Sequence, residues 1–203
     1  INRRPLCMSL IEKRLALKTP GYGSYMLARV EGFTALGVGF GRDPLNAKEL
    51  PFVYEKGLKT VPTQATVIAW GAGAMRESGI NYLMVVHGEQ KLTLHKPLPS
   101  AAKISVDSSV LGAWDKGKDK GAIIVTESVI KDKASGDKLC TLQSTIFARG
   151  DGGFGGPREG APEPHKLPER APDLTVEADT RPDQALLYRL SGDRNPLHAD
   201  PQF

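Results

Sequence analysis

The chain has 203 residues, a formal net charge of +4, 40% hydrophobic and 25% charged residues, and 22 Gly with 15 Pro. That Gly and Pro content exceeds background but falls short of a collagen-like or disordered composition, so a folded, turn-rich chain with one large or two small domains is predicted. Two cysteines, Cys7 and Cys140, exclude a disulfide framework and fit a reducing compartment, while interleaved charges, as between Asp115 and Lys138, read as a solvated surface that suits an anionic ligand without demanding nucleic acid.

In chain order, no charged-then-apolar leader opens the sequence, and Ile1 is not an initiator. Pro62 to Trp70 reads as a mostly apolar helix with Pro62 in its first turn, where the missing N–H costs nothing. It lies in the longest stretch without charge, Thr60 to Met75, which Pro62, Gln64, Gly71 and Gly73 make too short and polar to span a bilayer; a soluble chain without membrane insertion is expected. Strand character follows. Lys91 to Lys96 alternates, with Leu92 and Leu94 on one face, and Lys103 to Val110 alternates through Ile104 and Val106. Ala122 to Ile130 carries an Ile-Ile-Val run, Ser135-Gly-Asp137 signals a hairpin turn, and Leu139 to Ala148 puts Cys140, Leu142, Ile146 and Ala148 on one face. One apolar helix followed by an antiparallel meander is an α+β chain whose single sheet needs cover on its apolar face.

Between Gly150 and Pro172, 11 of 23 residues are Gly or Pro, which reads as a linker. The run Gly152 to Gly156 has neither the Gly-x-Gly-x-x-Gly spacing after a strand nor a Gly-Lys-Ser/Thr ending, so it is a connection rather than a phosphate loop. Three segments result: 1–149, the linker 150–172, and 173–203.

The tail holds the densest chemistry. Tyr188-Arg-Leu-Ser-Gly-Asp-Arg-Asn-Pro-Leu-His-Ala-Asp200 places a carboxylate (Asp193), an amide (Asn195) and an imidazole (His198) within six residues, bent by Gly192 and Pro196. A carboxylate and a neutral imidazole converging on one water can hold it, take its proton and return a proton elsewhere. The same residues also fit a plain Asx turn before a helix. No metal is expected: His87, His95 and His165 stand at no ligand spacing to His198.

The wider string resembles the hydratase 2 motif of the MaoC-like type-2 enoyl-CoA hydratases, including the hydratase unit of multifunctional β-oxidation enzymes. Further blocks resemble that family in its own order: Ala35 to Leu45, Phe52 to Glu55, Val61 to Thr63, His87 to Gln90, Lys96 to Pro99 and Gly152 to Gly156. The resemblance implies a double hot-dog subunit, each repeat an antiparallel sheet wrapped around a central helix. The first repeat accommodates an acyl chain, and the second, incomplete here at Phe203, opens with the catalytic motif.

It further implies reversible hydration of trans-2-enoyl-CoA to (3R)-3-hydroxyacyl-CoA without metal or redox cofactor. Asp193 and His198 match the catalytic pair, and Asn195 the third polar residue. His87, Gly88, Lys116, Arg194, Pro196 and Leu197 match substrate-contacting positions. Lys116 suits a phosphate but equally a solvated loop, and His87 suits a ligand or a core hydrogen bond. Glu55 matches a family glutamate near the site and equally suits a structural salt bridge. A homodimer or a part of a multifunctional enzyme, in a peroxisome or a bacterial cytoplasm, is the implied setting. An inert acyl-CoA-binding module and a hot-dog thioesterase are the alternatives. The resemblance also leaves Leu186, Leu187 and Leu190, on a helix around Gln184 to Leu190, without cover in a chain of this length.

Overall fold

A computed structural model describes residues 19–26, 28–69, 74–75, 78–193 and 195–202, with side chains from residue 32 onward. Five strands form one antiparallel sheet: β1 (Thr19–Met26), β2 (Val85–Leu94), β3 (Ala102–Asp115), β4 (Ala122–Asp132) and β5 (Lys138–Ala148), in spatial order β1-β3-β4-β5-β2. Among the described residues two α-helices accompany it: α1 (Ala28–Gly37) and the short α2 (Gln184–Tyr188).

The alternation read from sequence places the core correctly in β3 and β5. Ile104, Val106, Ser108 and Val110 point inward along β3, and Cys140, Leu142 and Ala148 along β5. Ile104, Ile124 and Ile130 are almost wholly removed from water; each such side chain contributes about 2–3 kcal/mol. The β4–β5 hairpin turns where Ser135-Gly-Asp137 predicts, with Gly136 at φ 76°, a conformation glycine adopts without strain.

The meander needs one correction. β2 does not pair with β3, its successor in sequence, but lies beyond β5, with Leu92 opposite Leu142 and Leu94 opposite Cys140. A period of two tells which face a residue takes, not which strand lies beside it. β2 is thus an edge strand, and Leu94, expected on the core face, is 40% exposed there while Leu92 packs against the core.

The predicted apolar helix also needs correction. Pro62–Thr66 is a 3-10 helix followed by a turn over 67–69, and Trp70 lies outside the described residues. Val67 and Ile68 both donate to the Gln64 carbonyl. The β-branched residues Thr63, Thr66, Val67 and Ile68, with Gly71 and Gly73 soon after, make a poor helix once Pro62 has set the first turn. Cover for the sheet comes instead from short pieces: Ala65, Ile68 and Leu98 pack on Ile104, Ile130 and Leu142, and Met75, Ile80 and Phe154 on Val110, Ala122 and Ile124.

The glycine-rich run is fastened rather than slack. Asp115 at the end of β3 accepts hydrogen bonds from the amides of Gly117, Gly153 and Gly155, each at 2.7–2.8 Å, and Phe154 between them is buried. The rest of the connection, residues 162–172, is exposed, as are residues 173–180 after it. No helix among the described residues is long and apolar enough to cross a membrane.

Candidate active site

The tail returns to the first part of the chain through α2, which packs on α1. Leu187 is half-buried there, whereas Leu186 and Leu190 are more than half exposed, so the expected lack of cover holds for two of the three leucines. At the end of the following 3-10 turn, Arg189–Ser191, the buried Ser191 hydroxyl receives a hydrogen bond from the buried Thr34 hydroxyl of α1 at 2.9 Å. Gly192 then takes φ 122°, a region that strains any residue with a Cβ, and delivers the chain to Asp193.

From there the loop is built of Asx-type hydrogen bonds. The Asn195 amide donates to Asp193 Oδ1 at 3.2 Å, and the Leu197 amide donates to Asn195 Oδ1 at 3.1 Å. The 3-10 turn Pro196–His198 follows, closed by the Asp200 amide on the Pro196 carbonyl at 2.8 Å. The turn reading of this motif is therefore correct, and Asp193 and His198 line the same cavities. Asn195 caps the turn with its oxygen, and the turn holds Asp193 and His198 on one concave surface.

That surface borders two cavities. The larger, about 960 Å³, is lined by Asp193, Asn195, Pro196 and His198 of the loop together with His87 and Gln90 of β2 and Ser144 of β5. The smaller, about 500 Å³, is lined by Asp193, His198 and Arg189 together with Gly37 and Val38 at the end of α1. Tyr188, Asp193 and His198 line both. Burial, and then the nearby Asp193 carboxylate, push the Tyr188 phenol above its ordinary pKa, so Tyr188 stays a neutral donor across the physiological range.

The remaining predicted positions spread further. Gly88 forms a bulge in β2 against β5, where a Cβ would lie 3.2 Å from the Thr145 carbonyl oxygen. Lys116 Nζ donates to the Arg158 carbonyl at 3.1 Å, outside the lining of both cavities. Glu55 is exposed and makes no ion pair among the described residues. Leu197 is exposed, and Arg194 lies outside the described residues. Sequence reasoning did not single out Tyr188, Gln90 or Ser144. Tyr188 stood in the motif, whereas Gln90 and Ser144 enter only because β2 crosses to the side of β5.

Comparison with known proteins identifies the family and the fold. The family described as the MFE-2 hydratase 2 N-terminal domain matches residues 29–150. The chain belongs to the hydratase 2 family of MaoC-like proteins. Among its hydratase 2 relatives, it is 41% identical over 174 residues to 3-hydroxyacyl-thioester dehydratase Y of Mycobacterium tuberculosis, covering 83% of this chain and 58% of the relative. It is 37% identical to the peroxisomal enoyl-CoA hydratase 2 of Arabidopsis thaliana, covering 83% and 60%. In three dimensions it is similar to the full-length peroxisomal multifunctional enzyme type 2 of Drosophila melanogaster, with a TM-score of 0.73 and 32% identity over 96% of this chain and 34% of that one. A MaoC-like dehydratase from Phytophthora capsici gives a TM-score of 0.75 at 28% identity over 95% and 67%. The sheet is accordingly that of a hot-dog repeat, and the hydratase 2 chain described here spans 58% and 60% of the two sequence relatives' lengths.

Proposed function

We propose that this chain forms the acyl-accommodating repeat and the catalytic loop of an (R)-specific 2-enoyl-CoA hydratase, with Asp193 and His198 activating the water. The observation that supports this reading is the shared cavity: Asp193 and His198 line it together with His87. In the reaction an O–H bond of water breaks as its oxygen bonds to C3 of the enoyl thioester. The thioester oxygen carries the resulting enolate charge, and C2 then takes a proton, so that one water adds across the double bond. Asp193 and His198 hold the water, accept its proton and return one to C2; Asn195 keeps the loop that carries them in shape. The enolate oxygen needs an N–H donor. Polarisation by that donor and proton traffic through the pair suffice for this chemistry, so no cofactor is invoked.

The reading includes a division at 149/150 and 172/173 into first repeat, connection and start of second repeat. It also includes a homodimeric or multifunctional-enzyme setting and a peroxisomal or bacterial cytoplasmic location. The multifunctional-enzyme setting and the peroxisome occur in the name of one relative, the peroxisomal multifunctional enzyme type 2 of Mus musculus. His87, Gly88, Lys116, Arg194, Pro196 and Leu197 are proposed substrate contacts, and Glu55 a nearby acid.

The test follows the absorbance of the conjugated thioester when the intact protein meets crotonyl-CoA or decenoyl-CoA. Loss of absorbance without release of free thiol supports hydration; thiol release marks a thioesterase. Heat of acyl-CoA binding without either change marks a binding module. Asp193→Asn and His198→Ala should each lower kcat by about a hundredfold or more, and unaltered turnover in either rules the pair out.

A further inference from the structure

Ser191 and Gly192 separate the docked part of the tail from Asp193. On one side, Thr34 Oγ1 donates to Ser191 Oγ at 2.9 Å, with Thr34 2% and Ser191 6% exposed. On the other, Gly192 at φ 122° is a residue without a Cβ in a region where only glycine rests easily. Beyond Gly192, the loop is internally tied by its Asp193 and Asn195 carboxyl and amide oxygens and by the 3-10 turn Pro196–His198. A loop tied within itself by such hydrogen bonds takes its starting point from the residue before Gly192, so fixing that residue fixes where the loop begins. Ser191 is that residue, and the side chain that fixes it belongs to α1, 157 positions earlier in the chain.

We propose that Thr34 is a positioning residue for the hydration step. Its hydroxyl locks Ser191, and through the Gly192 pivot it sets the distance at which Asp193 and His198 together meet the water and the thioester. The proposal rests on the reading of Asp193 and His198 as the water-activating pair. It gives a role to the first repeat beyond housing an acyl chain, since helix α1 of that repeat sets the aim of the loop that opens the second. Thr34 lines neither cavity, so it acts through the loop and not on the substrate.

The consequence is a loss of turnover with substrate binding kept, because a mispositioned acid–base pair loses transition-state contacts while the walls that hold the thioester stay in place. Thr34→Val keeps the shape and removes the donor; Thr34→Ser keeps the donor. In the intact protein, Thr34→Val should lower kcat about ten- to a hundredfold with KM little changed, and Thr34→Ser should restore most of it. Ser191→Ala should match Thr34→Val, and the two together should cost no more than either alone. A second readout needs no turnover: amide hydrogen exchange at Asn195 and Leu197 in the 203-residue chain should rise in Thr34→Val and return to the parent rate in Thr34→Ser. If kcat falls no further than the folded fraction, or if Val and Ser behave alike, the proposal fails. If exchange at Asn195 and Leu197 does not respond, it fails as well. If the unaltered protein hydrates no enoyl thioester while exchange still responds to Thr34→Val, the functional reading fails and the lock on the loop stands.

Discussion

A Cβ added to Gly37 would lie 2.7 Å from the Cα of Tyr188, so α1 and α2 meet backbone to backbone. The close approach lets the tail settle on α1 near enough for the Thr34–Ser191 hydrogen bond to form. Backbone cannot swing aside as a long side chain can. Gly37→Ala should therefore push α2 away and destabilise the docked tail by about 1–3 kcal/mol. Thermal unfolding followed by circular dichroism, with limited proteolysis of the tail, checks it. Unchanged melting and unchanged cleavage would mean that the two helices are not held this closely.

Asp115 gives a prediction in pH. Burial alone would raise its carboxyl, but the amides of Gly153, Gly117, Gly155 and Phe154 outweigh that effect and hold its pKa below the ordinary carboxylate value. A folded pKa below the unfolded one means that the stabilisation is complete above the unfolded value of about 3.9 and is lost as pH falls through the folded value. Asp115→Asn leaves some of the amide donors facing a weaker, uncharged acceptor, a cost of about 1–3 kcal/mol. The stability gap between the parent and Asp115→Asn should stay level from neutral pH down to about pH 5 and close below about pH 4. Urea unfolding across that range measures it, and a gap that widens in acid would contradict the clasp.

How far this arrangement can be read from the sequence differs between its parts. The strands β3 and β5 were legible because Ile104, Val106, Cys140 and Leu142 repeat every second residue against a single buried face. The loop proposed to carry the chemistry was legible because Gly192, Asn195 and Pro196 are turn formers set among polar groups. The helix α1 was not. Gly32 and Gly37 interrupt its pattern, and its fit depends on Tyr188, which no local period reports. Nor was the Thr34–Ser191 hydrogen bond, whose partners lie 157 positions apart. The apolar stretch after Pro62 misled for a physical reason: its β-branched residues bury well in short segments, so apolar character alone did not imply a helix.

Cys140 shows how burial settles reactivity. It is fully enclosed within β5, and burial pushes its thiol up to about 11. At neutral pH the thiolate that attacks disulfides and alkylating reagents is therefore scarce as well as shielded. In a Cys7→Ser background, Cys140 should resist an aromatic disulfide reagent in the folded protein and react fully on denaturation. Prompt reaction in the native state would show that the sheet opens at β5.

Gln64 is the residue least suited to its place. It is 0% exposed beside Ala65, and both its Nε2 and its Oε1 lack a hydrogen-bond partner among the described residues. A buried donor or acceptor left unpaired costs about 1–3 kcal/mol, and an apolar side chain of similar length carries no such cost. Gln64→Met should therefore leave stability unchanged or raise it by about 1–2 kcal/mol, whereas Gln64→Glu should destabilise strongly, because an unpaired charge would be buried in the same spot. Urea unfolding measures both through the midpoint at constant slope. If Gln64→Met lowers stability by more than about 1 kcal/mol, the amide has a partner in solution, and an enclosed water bridging it to the backbone becomes the account to examine.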